Sequence, residues 1–362
     1  MINKAPLLEI KNLCTEFITA NGVLHAVDDV TFSLLDREAL GVVGESGSGK
    51  SVTALSILRL FGPLDQVVTT GQILFEGVNL LKLSDAELRH IRGRQIAMVF
   101  QDPLTSLNPV MPVGEQIAEM LRYHCDLQRA VARRRAQELM ELVGIGEPAR
   151  RFDDLPEQFS GGMRQRIMIA IAIACEPKLL IADEPTTALD VTVQSQVLML
   201  LNRLREELGM ALMMISHDLG VIAATCDSAQ VMYGGRLVER GKIEDILHHP
   251  NHPYTAALLR LVPRIDGALL RKLSPIPGQP TPILGSWRGC RFAPRCEFAH
   301  DRCQSDDPPA FTVGTDHVSA CWLAEERSAS MNKGVHHEGH EEHAPTFILP
   351  RGTRGRKEEG EI

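Results

Sequence analysis

Apolar and polar residues alternate over Leu7–Leu13, which predicts a half-buried strand. Ala39–Val43 is a continuous apolar run that ends in a glycine-rich loop, and Ser51–Phe61 has helical spacing. Gln72–Phe75 and Gln95–Phe100 read as strands again. Between Met120 and Val143 lies a polar helical stretch with Arg133, Arg134 and Arg135 on its solvated face. A helix follows over Met168–Cys175, then an apolar strand of the buried parallel type at Leu179–Ala182, a helix over Gln194–Leu208 and a second buried strand at Ala211–Ile215. Strands alternating with helices predict an α/β fold built on a mainly parallel sheet.

The texture changes after about residue 245. Prolines accumulate at 250, 253, 263, 275, 277, 280, 282, 294, 308 and 309, so little regular structure is expected there. From about Ser328 the chain combines His336, His337, His340 and His343 with Glu338, Glu341 and Glu342. That segment has few apolar residues and reads as a disordered, solvated tail over 327–362.

Composition narrows the class. With 362 residues, 44% hydrophobic and 23% charged, the chain has ample material for the core of one or two domains. The longest strongly apolar stretch, Ile167 to Cys175, is half the length that a membrane-spanning helix needs. No basic-then-apolar leader follows Met1, so the expected location is the cytosol. A net charge of −8 argues against a general nucleic-acid binder. The eight cysteines are uneven: four are scattered and four fall between Cys290 and Cys321, the first sign of a separate C-terminal module.

Gly44-Glu-Ser46-Gly47-Ser48-Gly49-Lys50-Ser51 fits G-x-x-x-x-G-K-[ST]. A chain this long meets that pattern by chance about 1% of the time. Glycines let successive backbone N–H groups turn toward phosphate oxygens, and the following helix adds its N-terminal partial positive charge. Lys50 is placed to reach the β/γ-phosphates and the Ser51 hydroxyl to ligate Mg²⁺. A metal-holding carboxylate is then needed at the end of a neighbouring strand, and Leu179–Asp183 supplies it in Asp183. Glu184, one residue on, is the natural group to polarise an attacking water. Ser160-Gly161-Gly162, ahead of a helical run, forms a second anion-binding helix end.

In this order the motifs resemble the ATP-binding subunit of an ATP-binding-cassette (ABC) transporter over roughly residues 5 to 245. The resemblance reads Gly44–Ser51 as Walker A, Gln101 as the Q-loop, Ser160–Gln165 as the signature and Leu179–Glu184 as Walker B. Asp190 falls in the D-loop, and His217 is the switch histidine. The signature departs mildly, with Phe-Ser-Gly-Gly-Met in place of Leu-Ser-Gly-Gly-Gln. The resemblance implies a RecA-like core with an antiparallel β subdomain and a helical subdomain over about 103–158, binding ATP and Mg²⁺. It implies that Gln101 contacts Mg²⁺ or the lytic water, that His217 hydrogen-bonds the γ-phosphate, and that Asp190 organises a dimer contact. It further implies that Phe17 stacks on adenine, with a place in the core of the first strands as the alternative. Two such cassettes would meet head to tail, the Walker A of one facing the signature of the other.

Gln101-Asp-Pro-Leu-Thr-Ser-Leu-Asn-Pro109 and His252-Pro-Tyr-Thr255 resemble the dipeptide/oligopeptide/nickel importer branch, and within it the first ATPase subunit of dipeptide permeases. His252–Thr255 itself reads as a solvent-facing turn before a helix, of diagnostic value only. The implied assembly contains a second, paralogous ATPase, two transmembrane permeases and an extracytoplasmic binding protein, with this chain peripheral on the cytoplasmic face of the inner membrane. A nickel or other solute importer is the alternative, followed by a soluble non-transport ABC ATPase.

Cys290-x5-Cys296-x6-Cys303-x17-Cys321 offers four soft ligands in a proline-rich segment that needs a staple. The wide spacing favours a [4Fe–4S] cluster over Zn²⁺, as in some importers of this branch. Arg288, Arg291, Arg295 and Arg302 are expected to offset part of the cluster's charge. The expected organisation is a cassette over 1–245, a Pro/Cys-rich extension over 246–326 and the tail.

Overall fold

The computed structural model describes residues 5–62, 65–187, 189–261, 276–280, 282–325 and 328. The expected tail over 327–362 lies outside the described residues apart from Ser328.

Two sheets make the frame. The smaller is antiparallel, with β1 (Leu8–Thr19), β2 (Gly22–Leu34), β4 (Val67–Phe75) and β5 (Val78–Asn79) in the order β2-β1-β4-β5. The larger runs β11-β12-β10-β9-β3-β8-β7-β6. Its parallel centre is β3 (Ala39–Val43), β6 (Ile96–Val99), β7 (Leu179–Asp183), β8 (Ala211–Ser216) and β9 (Ser228–Tyr233). At one side β10 (Arg236–Lys242), β11 (Phe311–Gly314) and β12 (His317–Ser319) continue it antiparallel.

The apolar runs of the parallel strands are buried on both faces, and their residues divide by the two-residue period of a strand. Leu40, Val42, Ile181, Met213 and Ile215 pack toward the antiparallel sheet and the helix Lys50–Leu58. Ala39, Val43, Leu180, Ala182, Leu212 and Met214 pack the other way, toward Gly161–Ile173, Val191–Leu208 and the helical region.

The structure departs from the sequence pattern at definite points. Strand β2 carries His25, Asp28 and Asp29 within its apolar alternation, so it was not expected. The disturbance is a bulged pairing: Asn12 and Asp29 both take positive φ, and the Asn12 amide donates to Asp29 Oδ1 at 2.7 Å. The single polar stretch over Met120–Val143 is two helices, Val113–Cys125 and Arg129–Leu142, separated where Asp126 turns left-handed at φ +53°. The proline-rich segment is more ordered than expected. It contains the helix Pro253–Leu259 and also β11 and β12, and β12 pairs with β10 so that the extension continues the main sheet.

Candidate functional site: a cleft at the strand ends

The carboxyl ends of the parallel strands converge, which is where open α/β sheets bind ligands. Gly44 follows β3, Gln101 lies just past β6, Asp183 ends β7 and His217 follows β8. Glu45 to Val52, Gln101, Glu184 and His217 line one open cleft of about 720 Å³.

The loop from Gly44 to Gly49 is fixed by close approach. A Cβ on Gly49, at φ +101°, would sit 2.5 Å from the Ala26 carbonyl oxygen, so only glycine fits. Lys50 is 4% exposed and donates to the Gly44 oxygen at 2.7 Å and the Glu45 oxygen at 2.9 Å. The ammonium thus holds the loop from inside, and burial pulls its pKa down. The Ser51 hydroxyl donates to Asp183 Oδ1 at 3.0 Å. Burial pushes the Asp183 carboxyl up, against the pull of that hydroxyl. A hydroxyl and a carboxylate side by side are the hard oxygen donors that Mg²⁺ selects.

Glu184 has φ +47°, the left-handed region that L-residues rarely occupy. The turn aims its carboxylate into the cleft, where Oε2 accepts from Gln101 Nε2 at 3.0 Å and lies 3.2 Å from His217 Nδ1. Thr187 Oγ1 donates to the same oxygen at 2.9 Å. Sequence reasoning missed Thr187, although its position three residues after Glu184 in a turn was a usable signal.

Ser160, Gly161, Gly162 and Asp190 do not line this cleft. Ser160 caps the helix Gly161–Ile173 by accepting from the Met163 N–H at 3.4 Å. Asp190 caps Val191–Leu208 by accepting from the Val193 N–H at 3.0 Å. Phe17 is half-buried on β1 and meets Phe61 edge-on, with ring centroids 5.8 Å apart, and is not among the cleft's lining residues.

His252–Thr255 is not a solvent-facing turn. His252 is 2% exposed, and Tyr254 and Thr255 are fully buried. His252 Nδ1 caps its helix by accepting from the Tyr254 N–H at 3.0 Å, and the buried Glu239 carboxylate receives the Asn251 and His252 N–H groups.

The four C-terminal cysteines line one small space together with His252, whose buried Nε2 has no hydrogen-bond partner among the described residues. Burial raises the thiol pKa of Cys290 and Cys296, and raises Cys321 to about 12. Among the described residues, however, no three or more His, Cys, Asp or Glu side chains are arranged to hold a metal ion as they stand. The expected electrostatic role of the arginines is also corrected. Arg291 pairs with Asp28, Arg295 with Glu45, and Arg302 with Glu325, so these guanidiniums are committed to carboxylates. Arg288 is exposed. No helix among the described residues is long and apolar enough to cross a membrane.

Comparison with known proteins agrees with this geometry. The ABC transporter family matches residues 27–187, and the oligopeptide/dipeptide transporter C-terminal region matches residues 238–303. The oligopeptide transport ATP-binding protein OppD of Haemophilus influenzae is 48% identical over 322 residues, covering 89% of this chain and 98% of that protein. The dipeptide transport ATP-binding protein DppD of Bacillus subtilis is 45% identical, with coverage of 89% and 96%. A dimeric ATP-binding cassette solved in a post-hydrolysis state with ADP and Pi superposes with a TM-score of 0.58 at 28% identity, over 65% of this chain and 98% of that one. The cleft, the motif order and a C-terminal region shared with whole-length relatives make this chain a member of the ABC transporter ATP-binding protein family, in its oligopeptide/dipeptide branch.

Proposed function

We propose that this chain is the ATP-hydrolysing motor of an importer for dipeptides or oligopeptides. The observation that carries the reading is the convergence of Lys50, Ser51, Asp183, Glu184, Gln101 and His217 on one cleft at the strand ends. Loop N–H groups and Lys50 would bind the phosphates, with Ser46, Gly47, Ser48 and Gly49 forming the cradle. Lys50 must first release the carbonyls of Gly44 and Glu45 that it now holds. Ser51 and Asp183 would hold Mg²⁺, which neutralises phosphate charge. Glu184 would orient the attacking water and take its proton, with Gln101 and His217 fixing the carboxylate on the γ-phosphate side.

The absence of Ser160, Gly161, Gly162 and Asp190 from the cleft supports a second cassette that brings its own signature to this nucleotide, while this chain's signature serves the partner's. We assign that partner as a paralogous ATPase. Two permeases and a binding protein complete the assembly at the cytoplasmic face of the inner membrane. The helical segment over about 103–158 would pass closure on to the permeases, within a cassette over 1–245 followed by the extension over 246–326.

Peptide is preferred to nickel as cargo because the relatives above are named for oligopeptides and dipeptides. Proteoliposomes holding the assembled importer test this, with ATP on the cassette side and labelled peptide or ⁶³Ni²⁺ on the other. Peptide uptake that needs ATP and is lost in Lys50→Ala is expected. ATP-driven nickel uptake without peptide uptake would overturn it.

We further propose that Cys290, Cys296, Cys303 and Cys321 are the ligand set of a [4Fe–4S] cluster, with Zn²⁺ as the alternative. Support comes from four thiols and an unpartnered imidazole nitrogen around one space. The side chains must draw together from their present positions to serve as ligands. Anaerobically purified protein is expected to contain about four irons per chain and to absorb in the visible, as four-cysteine ligation of that cluster requires. Well-folded protein with neither iron nor zinc would refute the assignment.

A further inference from the structure

Glu45, the second residue of the phosphate loop, puts a carboxylate on the wall of a cleft meant for a triphosphate. Left alone, that charge would repel the ligand. It is not left alone. Arg295, 250 residues further along the chain, grips it in a two-pronged pair, Nη1 to Oε2 at 2.5 Å and Nη2 to Oε1 at 3.0 Å. The Arg295 side chain is 5% exposed and is aimed by the Pro277 carbonyl, which accepts from Nε at 2.7 Å. Its guanidinium lies 5.7 Å from the centroid of the Tyr233 ring.

The backbone of the same residue is tied to the same region. The Glu45 N–H donates to the hydroxyl of the fully buried Tyr254 at 2.7 Å. Tyr254 packs on Tyr233 and Phe292, with centroids 4.8 and 5.3 Å away. A second tether runs from Arg291 to the Gly234 carbonyl, next to Gly235, whose N–H donates to the Ser48 oxygen at 2.9 Å. Leu258, Leu261 and Pro280 wall the same cleft. The extension therefore touches the loop's side chain, its backbone and the space before it.

We propose that the C-terminal extension completes the nucleotide site, with Arg295 and Tyr254 as positioning residues that neutralise and hold Glu45. This rests on the cleft being the ATP site. Arg295 lies between Cys290 and Cys296 in sequence, so whatever orders the cysteine segment also orders the loop. An isolated cassette cut at residue 245 would keep the Walker residues and lose this support.

The test is binding of a fluorescent ATP analogue with Mg²⁺ to full-length protein at two salt concentrations. Wild type must bind, and Lys50→Ala must not; failure there refutes the cleft as the ATP site and leaves the inference without its basis. Given that control, Arg295→Ala should weaken binding about tenfold or more, because an unpaired carboxylate then faces the phosphates. Glu45→Gln/Arg295→Ala should recover most of the loss, and Arg295→Lys should fall between. Glu45→Gln alone should bind more tightly than wild type, since it leaves Arg295 as unmatched positive charge. That single variant keeps the proposal testable if Arg295→Ala misfolds. An equal loss in the Arg295→Ala and double variants, an unchanged affinity in Arg295→Ala, or unchanged or weakened binding in Glu45→Gln would overturn the proposal.

Discussion

Two donors meet one oxygen at Glu184, the Gln101 amide and the Thr187 hydroxyl, and the His217 ring nitrogen lies 3.2 Å from the same Oε2. They come from three different strand ends or turns, so the carboxylate is oriented before any substrate arrives. Gln at position 184 would keep the side chain's volume while removing the proton acceptor. The expected consequence is a fall in hydrolysis of roughly 10²-fold or more, with nucleotide affinity retained because Lys50, Ser51 and Asp183 are untouched. The meeting of Lys50, Ser51, Gln101, Asp183, Glu184 and His217 at the strand ends was legible from the sequence because each belongs to a short motif beside an apolar strand. Thr187 and Glu45 were not singled out as chemistry. Thr187 looked like turn punctuation, and Glu45 occupies a position the phosphate-loop pattern leaves unspecified.

Between elements, the start of the signature helix packs tightly on its neighbour. A Cβ at Gly162 would stand 2.5 Å from Val193 Cγ1 on Val191–Leu208, whereas one at Gly161 would meet Leu189 at an ordinary 3.7 Å. Gly162 thus permits a close helix contact. Gly162→Ala is expected to cost about 1–3 kcal/mol and to lower Tm by a few degrees. Val193→Ala in the same chain should recover most of that, as thermal unfolding would show; no recovery would mean that the contact is not the cause. The buried parallel strands were readable because continuous apolar runs have few alternatives. Strand β2 was hidden by the Asp28–Asp29 bulge, and the helix break at Asp126 by a residue without a Gly or Pro signal.

For the whole molecule, the largest surprise is how the described part of the extension attaches. Its proline content predicts little regular structure, yet β12 joins the main sheet, Tyr254 is buried, and Arg291 and Arg295 reach Asp28 and Glu45. The contacts to Asp28 and Glu45 join residues more than 200 positions apart, and no local pattern announces them. In the proposed reading, these contacts would build the ATP site from both the N-terminal loop and the extension, for a second cassette to complete. The most direct test uses the assembled importer and azido-ATP labelled at either the α- or the γ-phosphate. Photocross-linking after turnover reports only nucleotide attached to this chain. Wild type should keep the α-label and lose the γ-label, while Glu184→Gln should keep both. Loss of the γ-label from both proteins alike would contradict Glu184 as the residue that drives hydrolysis at this site.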